Sequence, residues 1–85
     1  MIDYRYQTFL VLADSLDYAK VEEKLCLSKP AITQHIHYLA TDLEVKLFQN
    51  QGGNLVLTKK GNLLKTRLIV INDHIDDLLR SLTTK

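Results

Sequence analysis

The polar residues best suited to chemistry in this chain are concentrated between Ser28 and Thr41, where Lys29 is the one formally charged side chain. If this segment is helical, with about 100° of rotation per residue, its large aliphatic residues share one face. They are Ile32, Ile36, Leu39 and Leu43. The opposite face carries Pro30, Thr33, Gln34, His37 and Thr41. Hydroxyl, amide and imidazole groups without a carboxylate suit hydrogen bonding to base edges in a DNA major groove.

Two histidines and one cysteine are the remaining candidates for metal binding. His35 and His37 are two residues apart, so on a helix their side chains point roughly 160° away from each other. Cys26 has no partner at metal-ligand spacing, and we expect it to pack as a small hydrophobic residue in a turn. No glycine-rich phosphate loop, carboxylate pair or nucleophile–base spacing stands out. The sequence therefore predicts a protein that is not an enzyme and has no catalytic residues, metal or cofactor.

Length and composition are those of one small soluble domain. The chain has 85 residues, of which 46% are hydrophobic and 25% charged, as in ordinary globular proteins. A domain of this size buries only about 60% of its unfolded surface, so it gains stability from a partner. One cysteine excludes an internal disulfide, and residues 1–4 lack the basic and apolar segments of a signal peptide. We therefore expect a cytoplasmic protein without a membrane span.

The net charge is only +1, but the charges are unevenly distributed. Between Lys24 and Arg67 there are seven basic residues and two acidic ones, Asp42 and Glu44. Other acidic residues cluster towards the two ends of the chain. The basic middle segment contains the candidate helix, which favours a nucleic acid as the partner.

Three residues mark the predicted starts of the first three helices. Asp3, Asp17 and Ser28 each have a side chain that can cap a helix N-terminus. Pro30 follows in the first turn of the third helix, where a missing N–H costs little. Only Leu25-Cys26-Leu27 connects the second helix to the third. Two helices joined by a three-residue turn form the layout of DNA-binding helix-turn-helix proteins.

A short β-hairpin is predicted after the third helix. Gln51-Gly52-Gly53-Asn54 is a strong turn signal, and Leu55-Val56-Leu57 is a β-favouring run. A hairpin at this place predicts the wing of a winged helix.

Thr58 is predicted to cap a long last helix that ends near Leu82. Its aliphatic residues are alternately four and three positions apart, which makes a heptad seam. They are Leu64, Leu68, Ile71, Ile75, Leu78 and Leu82. An 85-residue domain is too small to bury the whole seam, so the seam predicts a homodimer in which two copies of this helix pair.

The chain resembles the DNA-binding domain of the LysR-type transcriptional regulators over nearly its whole length. The most specific match is residues 25–33, which give Leu-x-Leu-Ser-x-Pro-Ala-Ile-Thr, with Ile36 and Leu39 following at the expected spacing. Leu47-Phe48 and Leu57-Thr58-Lys59-Lys60-Gly61 match the two signatures that bracket the family's wing. Each motif is weak alone, and their order and spacing make the resemblance specific.

The resemblance implies a mainly α winged helix-turn-helix. Three helices and a short β-hairpin would form a DNA-binding domain over residues 1–61, continuous with a linker and dimerisation helix over 58–83. The chain is expected to bind double-stranded operator DNA as a dimer, with the recognition helix of residues 28–43 in the major groove. The family's effector-sensing domain has no counterpart in these 85 residues, so no small-molecule effector is expected to bind within them.

Two sets of DNA contacts follow from the same resemblance. The implied base contacts are Lys29, Pro30, Ala31, Thr33, Gln34 and His37. The implied phosphate contacts are Ser28, Asn54, Thr58, Lys59 and Lys60. On physical grounds, an amide such as that of Gln34 can bond adenine with two hydrogen bonds.

Several positions depart from the family pattern. Val21 and Glu22 stand where two alanines are usual, Ala40 where an acidic residue is usual, Glu44 where a glycine is usual, and Asn50 where an arginine is usual. Glycine at position 44 would supply the left-handed conformation that commonly ends a helix. Two alternatives stay open: a protein–protein module of winged-helix fold that uses the heptad helix of residues 62–82, or another winged-helix regulator family, such as the molybdate-responsive one.

Overall fold

The computed structural model describes residues 3–83, which form four α-helices and one two-stranded antiparallel sheet. The helices are α1 (Tyr4–Ser15), α2 (Tyr18–Leu25), α3 (Lys29–Leu43) and α4 (Lys59–Thr83). The strands are β1 (Phe48–Gln51) and β2 (Asn54–Leu57). This confirms the mainly α winged helix-turn-helix with a long C-terminal helix. The first two residues of the predicted domain 1–61 lie outside the described residues.

The predicted caps start the first three helices. Asp3, Asp17 and Ser28 each accept a hydrogen bond from a backbone N–H two or three residues ahead, at 2.9, 2.9 and 3.3 Å. Each bond satisfies an N–H of the first turn that has no partner within the helix. Pro30 lies in the first turn of α3, as expected.

The same three helices all end on a residue in the left-handed conformation, and none of these residues is glycine. Leu16, Cys26 and Glu44 have φ angles of 54°, 54° and 56°. Beyond Glu44, the N–H of Val45 donates to the carbonyl oxygen of Ala40 at 3.0 Å, which is the closing bond of a Schellman motif. Position 44 therefore keeps the geometry usual for glycine without having a glycine.

Cys26 is exposed at the end of α2. The prediction that it packs as a small hydrophobic residue is wrong. Its neighbours Leu25 and Leu27 pack against the core instead, so the left-handed turn between them directs the thiol away from it.

The core has two clusters, and α1 contributes to both of them. The first cluster joins α1, α3, α4 and the segment before β1 through Phe9, Ala13, Leu39, Leu47 and Leu68. The second cluster joins α1, α2 and α3 through Leu12, Val21 and Ile32. Because Ile32 and Leu39 are both buried on one side of α3, the other side of this helix is held away from the core.

Leu43 departs from the predicted aliphatic face of α3. It is 38% exposed, whereas Ile32 and Leu39 are almost completely buried. Leu43 is the last residue of α3, past the contacts that the helix makes with the two clusters.

The wing is a tight hairpin with a two-residue turn. Gln51 pairs with Asn54, and Phe48 at the other end of β1 pairs with Leu57. Gly52 and Gly53 have φ angles of +56° and +85°, as the turns favoured in two-residue hairpins require. Phe48 packs against Phe9 with their ring centroids 5.5 Å apart, so the base of the wing is fixed to the core.

The predicted dimer seam on α4 lies in two different environments. Leu68 is 4% exposed and belongs to the first cluster, and Leu64 packs against that cluster. Leu68 is therefore a core residue of the single chain, which corrects its assignment to a partner interface, whereas Leu64 is half-buried beside that core. α4 has 25 residues and α1 has 12, so at the same rise per residue α4 is about twice as long as α1. The remaining seam residues are exposed or half-buried: Ile71, Ile75, Leu78 and Leu82.

None of the helices within residues 3–83 is long and apolar enough to cross a membrane.

Candidate nucleic-acid interface

The outward face of α3 is open and polar. Five of its side chains surround a shallow hollow of about 380 Å³. They are Thr33, Gln34, His37, Tyr38 and Thr41. All five are exposed, so their hydroxyl, amide, imidazole and phenol groups are accessible for hydrogen bonding. The structure brings together three of the predicted base contacts here.

The first turn of α3 continues this surface. Ser28, Lys29 and Pro30 are exposed, and Ala31 is half-buried. The Ser28 hydroxyl oxygen accepts from Ala31 N, which leaves the hydroxyl proton available to a phosphate oxygen. The Lys29 ammonium lies 5.0 Å from the ring centroid of Tyr18, a cation–π contact that holds it beside α2. A positive charge at a helix N-terminus is unfavourable alone, and a bound anion would relieve it.

Tyr38 and Arg5 were not among the residues predicted from the sequence. The Arg5 guanidinium carbon lies 3.8 Å from the centroid of the Tyr38 ring, and its Nη1 is 2.7 Å from Asp3 Oδ2. Arg5 therefore ties the start of α1 to the edge of the outward face of α3. Tyr38 is about 120° from Ile32 on the helical wheel, between the two faces, and no sequence spacing indicates its contact with Arg5.

His35 has a structural contact, whereas His37 is open to solvent. The Nδ1 atom of His35 lies 2.9 Å from the hydroxyl oxygen of Thr8, and its ring meets the Tyr4 ring edge-on, with centroids 5.2 Å apart. Thr8 is 1% exposed, so this hydrogen bond links α1 and α3 within the domain. It helps to fix which side of α3 faces outward. Within residues 3–83 no group of three or more histidine, cysteine, aspartate or glutamate side chains is placed to hold a metal ion.

Thr58 caps α4. Its hydroxyl oxygen accepts from Gly61 N at 2.9 Å, and its one proton is directed at the carbonyl oxygens of Lys46 and Leu47, at 2.5 and 3.2 Å. Its backbone N–H also donates to the Leu47 carbonyl oxygen at 3.1 Å. The hydroxyl has no second proton for a phosphate oxygen. The predicted phosphate contact of the Thr58 hydroxyl is therefore wrong. The hydroxyl joins α4 to the segment before β1 instead.

Gly61 completes this junction. A Cβ atom at this position would lie 2.1 Å from the Leu47 carbonyl oxygen, too close for any other amino acid without a shift of the backbone. The Leu-Thr-x-x-Gly motif is thus a structural clamp made by a cap and a close approach. The clamp fixes the first turn of α4, and Lys59 and Lys60 are exposed on that turn.

An open cleft of about 760 Å³ separates the wing tip from the starts of α2 and α3. The wing side is formed by Asn50, Gly53, Asn54 and Leu55, and the helix side includes Asp17, Tyr18 and Lys29. Lys29 and the exposed Asn54, both predicted contacts, therefore face the same space from opposite sides. The cleft connects the wing with the first turn of α3.

A second groove, of about 390 Å³, lies between α1, α2 and α4. It is lined by Leu10, Val11, Asp14, Ser15, Lys20, Lys24, Lys65 and Ile69. This volume falls within the range of about 300–1,000 Å³ that ligand sites occupy. The surface therefore has a groove large enough for a small molecule. That no small-molecule effector binds within these residues stays a prediction.

Comparison with known proteins identifies the family of the chain. Residues 4–62 match the family model for the bacterial regulatory helix-turn-helix proteins of the lysR family. These residues cover α1 to the first turn of α4. The chain belongs to the LysR family. This membership decides against the other winged-helix regulator family considered above.

Relatives of this LysR-family chain include two regulators of Bacillus subtilis (strain 168). The HTH-type transcriptional regulator YxjO is 39% identical over 57 residues, which are 67% of this chain and 20% of YxjO. The HTH-type transcriptional regulator CitR is 34% identical over 61 residues, which are 71% of this chain and 21% of CitR. The chain thus spans about one fifth of the length of these relatives. The family consists of transcriptional regulators and not of enzymes, as the sequence predicted.

Solved structures show the same fold. A transcriptional regulator of the LysR family from Eggerthella lenta DSM 2243 is 38% identical, with a TM-score of 0.75 over 80% of this chain and 97% of that one. The DNA-binding domain of BenM, in a complex with catB site 1 DNA, has a TM-score of 0.86 at 18% identity, over 96% of this chain and 91% of that one. At that identity the second likeness concerns the fold alone.

Proposed function

We propose that this LysR-type chain binds double-stranded operator DNA with sequence specificity, as a homodimer. Residues 1–61 would form the DNA-binding domain, and residues 58–83 the linker and dimerisation helix. The observation that carries this proposal is the uncharged, exposed face of α3, which has a lysine at its start and two more lysines at the start of α4. Base-reading groups between cationic anchors are what sequence-specific DNA binding requires.

The recognition helix α3 would enter the major groove with its outward face against the bases. The exposed amide of Gln34 would make two hydrogen bonds to adenine, and Thr33 would contact a thymine methyl group or a phosphate. The other proposed base contacts are Lys29, Pro30, Ala31 and His37. The proposed phosphate contacts are Ser28, Asn54, Lys59 and Lys60.

Base reading is tested by replacing Gln34 with alanine. Gln34→Ala should weaken binding to the preferred operator by about 1–3 kcal/mol and relax the choice of base at one position in each half-site. Gln7→Ala, on the exposed side of α1, is the matched control and should bind like the wild type. Binding is measured on the operator and on a scrambled duplex. Equal losses on both duplexes would show that Gln34 does not read a base.

Phosphate anchoring is tested with Lys60→Ala. This variant should weaken binding to all duplexes about equally and lower the salt slope by roughly one unit per subunit. Lys24→Ala, in the groove between α1, α2 and α4, removes the same charge away from α3 and should change the slope less. A Lys60→Ala effect confined to the operator would contradict the assignment.

Dimerisation would use the last four residues of the α4 seam, which are exposed or half-buried: Ile71, Ile75, Leu78 and Leu82. Each buried leucine or isoleucine contributes roughly 1.5–3 kcal/mol on transfer from water, and two-fold symmetry doubles each contact. Leu78→Asp should therefore give monomers at tens of micromolar in analytical ultracentrifugation. Val70→Asp, 52% exposed on a different side of α4, should stay dimeric. A wild-type chain that sediments as a monomer at these concentrations would refute the dimer.

A protein–protein module with little DNA binding is the second candidate. The last four residues of the α4 seam favour it, because an aliphatic surface suits a protein partner whether or not α3 binds DNA. A titration with duplex DNA at low salt separates the two candidates. If the folded chain binds no duplex, the protein–protein module is the remaining candidate.

A further inference from the structure

Arg5 places a positive charge at one edge of the outward face of α3. Its guanidinium carbon lies 3.8 Å from the centroid of the Tyr38 ring and 4.9 Å from the centroid of the Tyr4 ring. The guanidinium is thus held by two aromatic side chains, one from α1 and one from α3. Because stacking on a ring uses the flat face of a guanidinium, the N–H groups at its edge stay available for hydrogen bonds.

Asp3 fixes the guanidinium of Arg5 from a third side. Its Oδ1 atom accepts a hydrogen bond from the backbone N–H of Arg5 at 2.9 Å, and its Oδ2 atom accepts one from Nη1 at 2.7 Å. A guanidinium carries several N–H donors in a fixed fork, so this ion pair leaves donors unused. The Arg5 side chain is 25% exposed, and it can therefore bond a second anion while it keeps Asp3.

A second cation lies at the opposite edge of α3. At about 100° per residue, the spacing of Lys29 and Tyr38 places them about 180° apart around the helix. Lys29 lies over the ring of Tyr18 in the same way as Arg5 lies over that of Tyr38. Each edge of the outward face thus has one positive charge held by a tyrosine. The exposed Asp42, one turn beyond Tyr38, limits the positive edge on that side.

These two edges match the two phosphate strands that border a DNA major groove. An α-helix with its side chains is about 10–12 Å wide and the groove about 12 Å, so a helix that lies in the groove has one strand against each edge. With the outward face of α3 towards the bases, the Tyr38 edge faces the strand that Lys29 does not. We propose that Arg5 binds a backbone phosphate of this strand and that Tyr38 positions its guanidinium. The inference rests on the DNA binding proposed above, and it makes the start of α1 a further anchor.

The first experiment removes the charge of Arg5. Arg5→Gln is neutral but keeps a side-chain donor for Asp3. It should weaken binding equally to an operator, selected from randomised duplexes, and to a scrambled duplex, and lower the salt slope by roughly one unit per subunit. The advantage of the wild type over the variant should therefore shrink by about threefold per subunit, or about tenfold for a dimer, between about 50 and 200 mM salt. An unchanged slope, or a loss confined to the operator, would overturn the proposal.

Two control variants show whether the charge at this position is what matters. Arg5→Lys keeps the charge and should keep the wild-type slope. Lys20→Gln removes a charge in the groove between α1, α2 and α4 and should change the slope less than Arg5→Gln does. Circular dichroism checks that each variant is folded. If Lys20→Gln lowered the slope as much as Arg5→Gln, the effect would come from net charge and not from a contact.

The second experiment tests the positioning role of Tyr38. Tyr38→Leu should weaken binding to all duplexes by about two- to fivefold, the size of an exposed cation–π contact. Tyr38→Phe keeps the ring and should bind like the wild type. In the Arg5→Gln background, Tyr38→Leu should have no further effect, because the guanidinium that the ring holds is already absent. Equal losses in both backgrounds would show that Tyr38 does not act through Arg5.

The third experiment locates the phosphate on the operator. Single phosphates are replaced by uncharged methylphosphonates, one position at a time. We expect a position in each half-site at which the replacement weakens binding of the wild type and leaves binding of Arg5→Gln unchanged. If both proteins responded alike at every position, the contact would be refuted.

The two proposals fail in distinguishable ways. Duplex binding that is indifferent to Arg5→Gln at every salt concentration overturns the contact of Arg5 and leaves DNA binding by α3 intact. A folded wild-type chain that binds no duplex overturns the DNA-binding function, and the contact of Arg5 with it.

Discussion

Gly61→Ala should destabilise the domain, although helix propensity alone predicts the reverse. Alanine is about 1 kcal/mol more favourable than glycine inside a helix. At this position, however, the added Cβ would lie 2.1 Å from the Leu47 carbonyl oxygen. An ordinary carbon–oxygen contact is about 3.3 Å, so the start of α4 and the segment before β1 must separate by about 1.2 Å.

The size of the effect follows from what this separation disrupts. Forcing a carbon atom into a packed site costs about 1–3 kcal/mol. Moving Leu47 away also weakens the 3.1 Å hydrogen bond from Thr58 N, worth about 1 kcal/mol. After subtraction of the helix-propensity gain, Gly61→Ala should lower the free energy of unfolding by about 1–3 kcal/mol.

Urea denaturation at fixed protein concentration measures this change. Asn62→Ala is the matched control, because Asn62 is the next residue of α4 and is exposed. The control should have unchanged or slightly higher stability, since alanine is the better helix former. If Gly61→Ala were as stable as Asn62→Ala, the clamp between α4 and the segment before β1 would not exist as described.

Three further predictions concern the ends and contacts of the helices. Glu44→Gly should raise the free energy of unfolding, measured by urea denaturation, by about 0.5–1 kcal/mol. Glycine adopts the φ of 56° without the steric penalty that a side chain incurs there. A less stable variant would contradict this. Thr8→Val should lower it by about 1 kcal/mol, since the buried hydroxyl bonded to His35 is lost, and an unchanged midpoint would show that the bond contributes nothing. Cys26 should react with a thiol reagent in the folded chain as fast as in urea, because it is exposed; strong protection would refute its position.

The sequence was most informative where a local rule decides the structure. The caps at Asp3, Asp17 and Ser28 depend only on residues two or three positions away, so side-chain type and spacing predict them. The two glycines of the wing turn are equally local, because they permit φ angles that other residues rarely adopt. Most of the fold follows from such signals together with the aliphatic periodicity of α3.

The sequence was least informative where distant segments meet. Nothing local to Leu68 reveals that it joins the core of the single chain, so the sequence predicts that the whole heptad seam meets a partner. The capping role of Thr58 was predicted correctly. Its bonds to the carbonyl oxygens of Lys46 and Leu47 cross 12 and 11 positions, so no local rule shows that they occupy the hydroxyl proton. Both errors concern contacts set by tertiary packing, which the periodicity of a single helix does not predict.

The candidate site shows the same division. Periodicity placed Gln34 and His37 on the outward face of α3, and the structure has both residues exposed there. The stacking of Arg5 on Tyr38 joins α1 to α3. It depends on how these two helices pack, so the sequence alone does not predict it. The cation–π contact of Lys29 with Tyr18 likewise depends on how α2 and α3 pack against each other.

The most direct test of DNA binding is a fluorescence-anisotropy titration of the 85-residue chain with a selected operator and with a scrambled duplex. It is run between about 50 and 200 mM salt, a range over which phosphate-anchored proteins lose much of their affinity. The chain should bind the operator more tightly at every salt concentration, and log affinity should fall linearly with log salt for both duplexes. A folded chain that binds neither duplex at 50 mM salt, or binds both equally, would contradict sequence-specific recognition by α3.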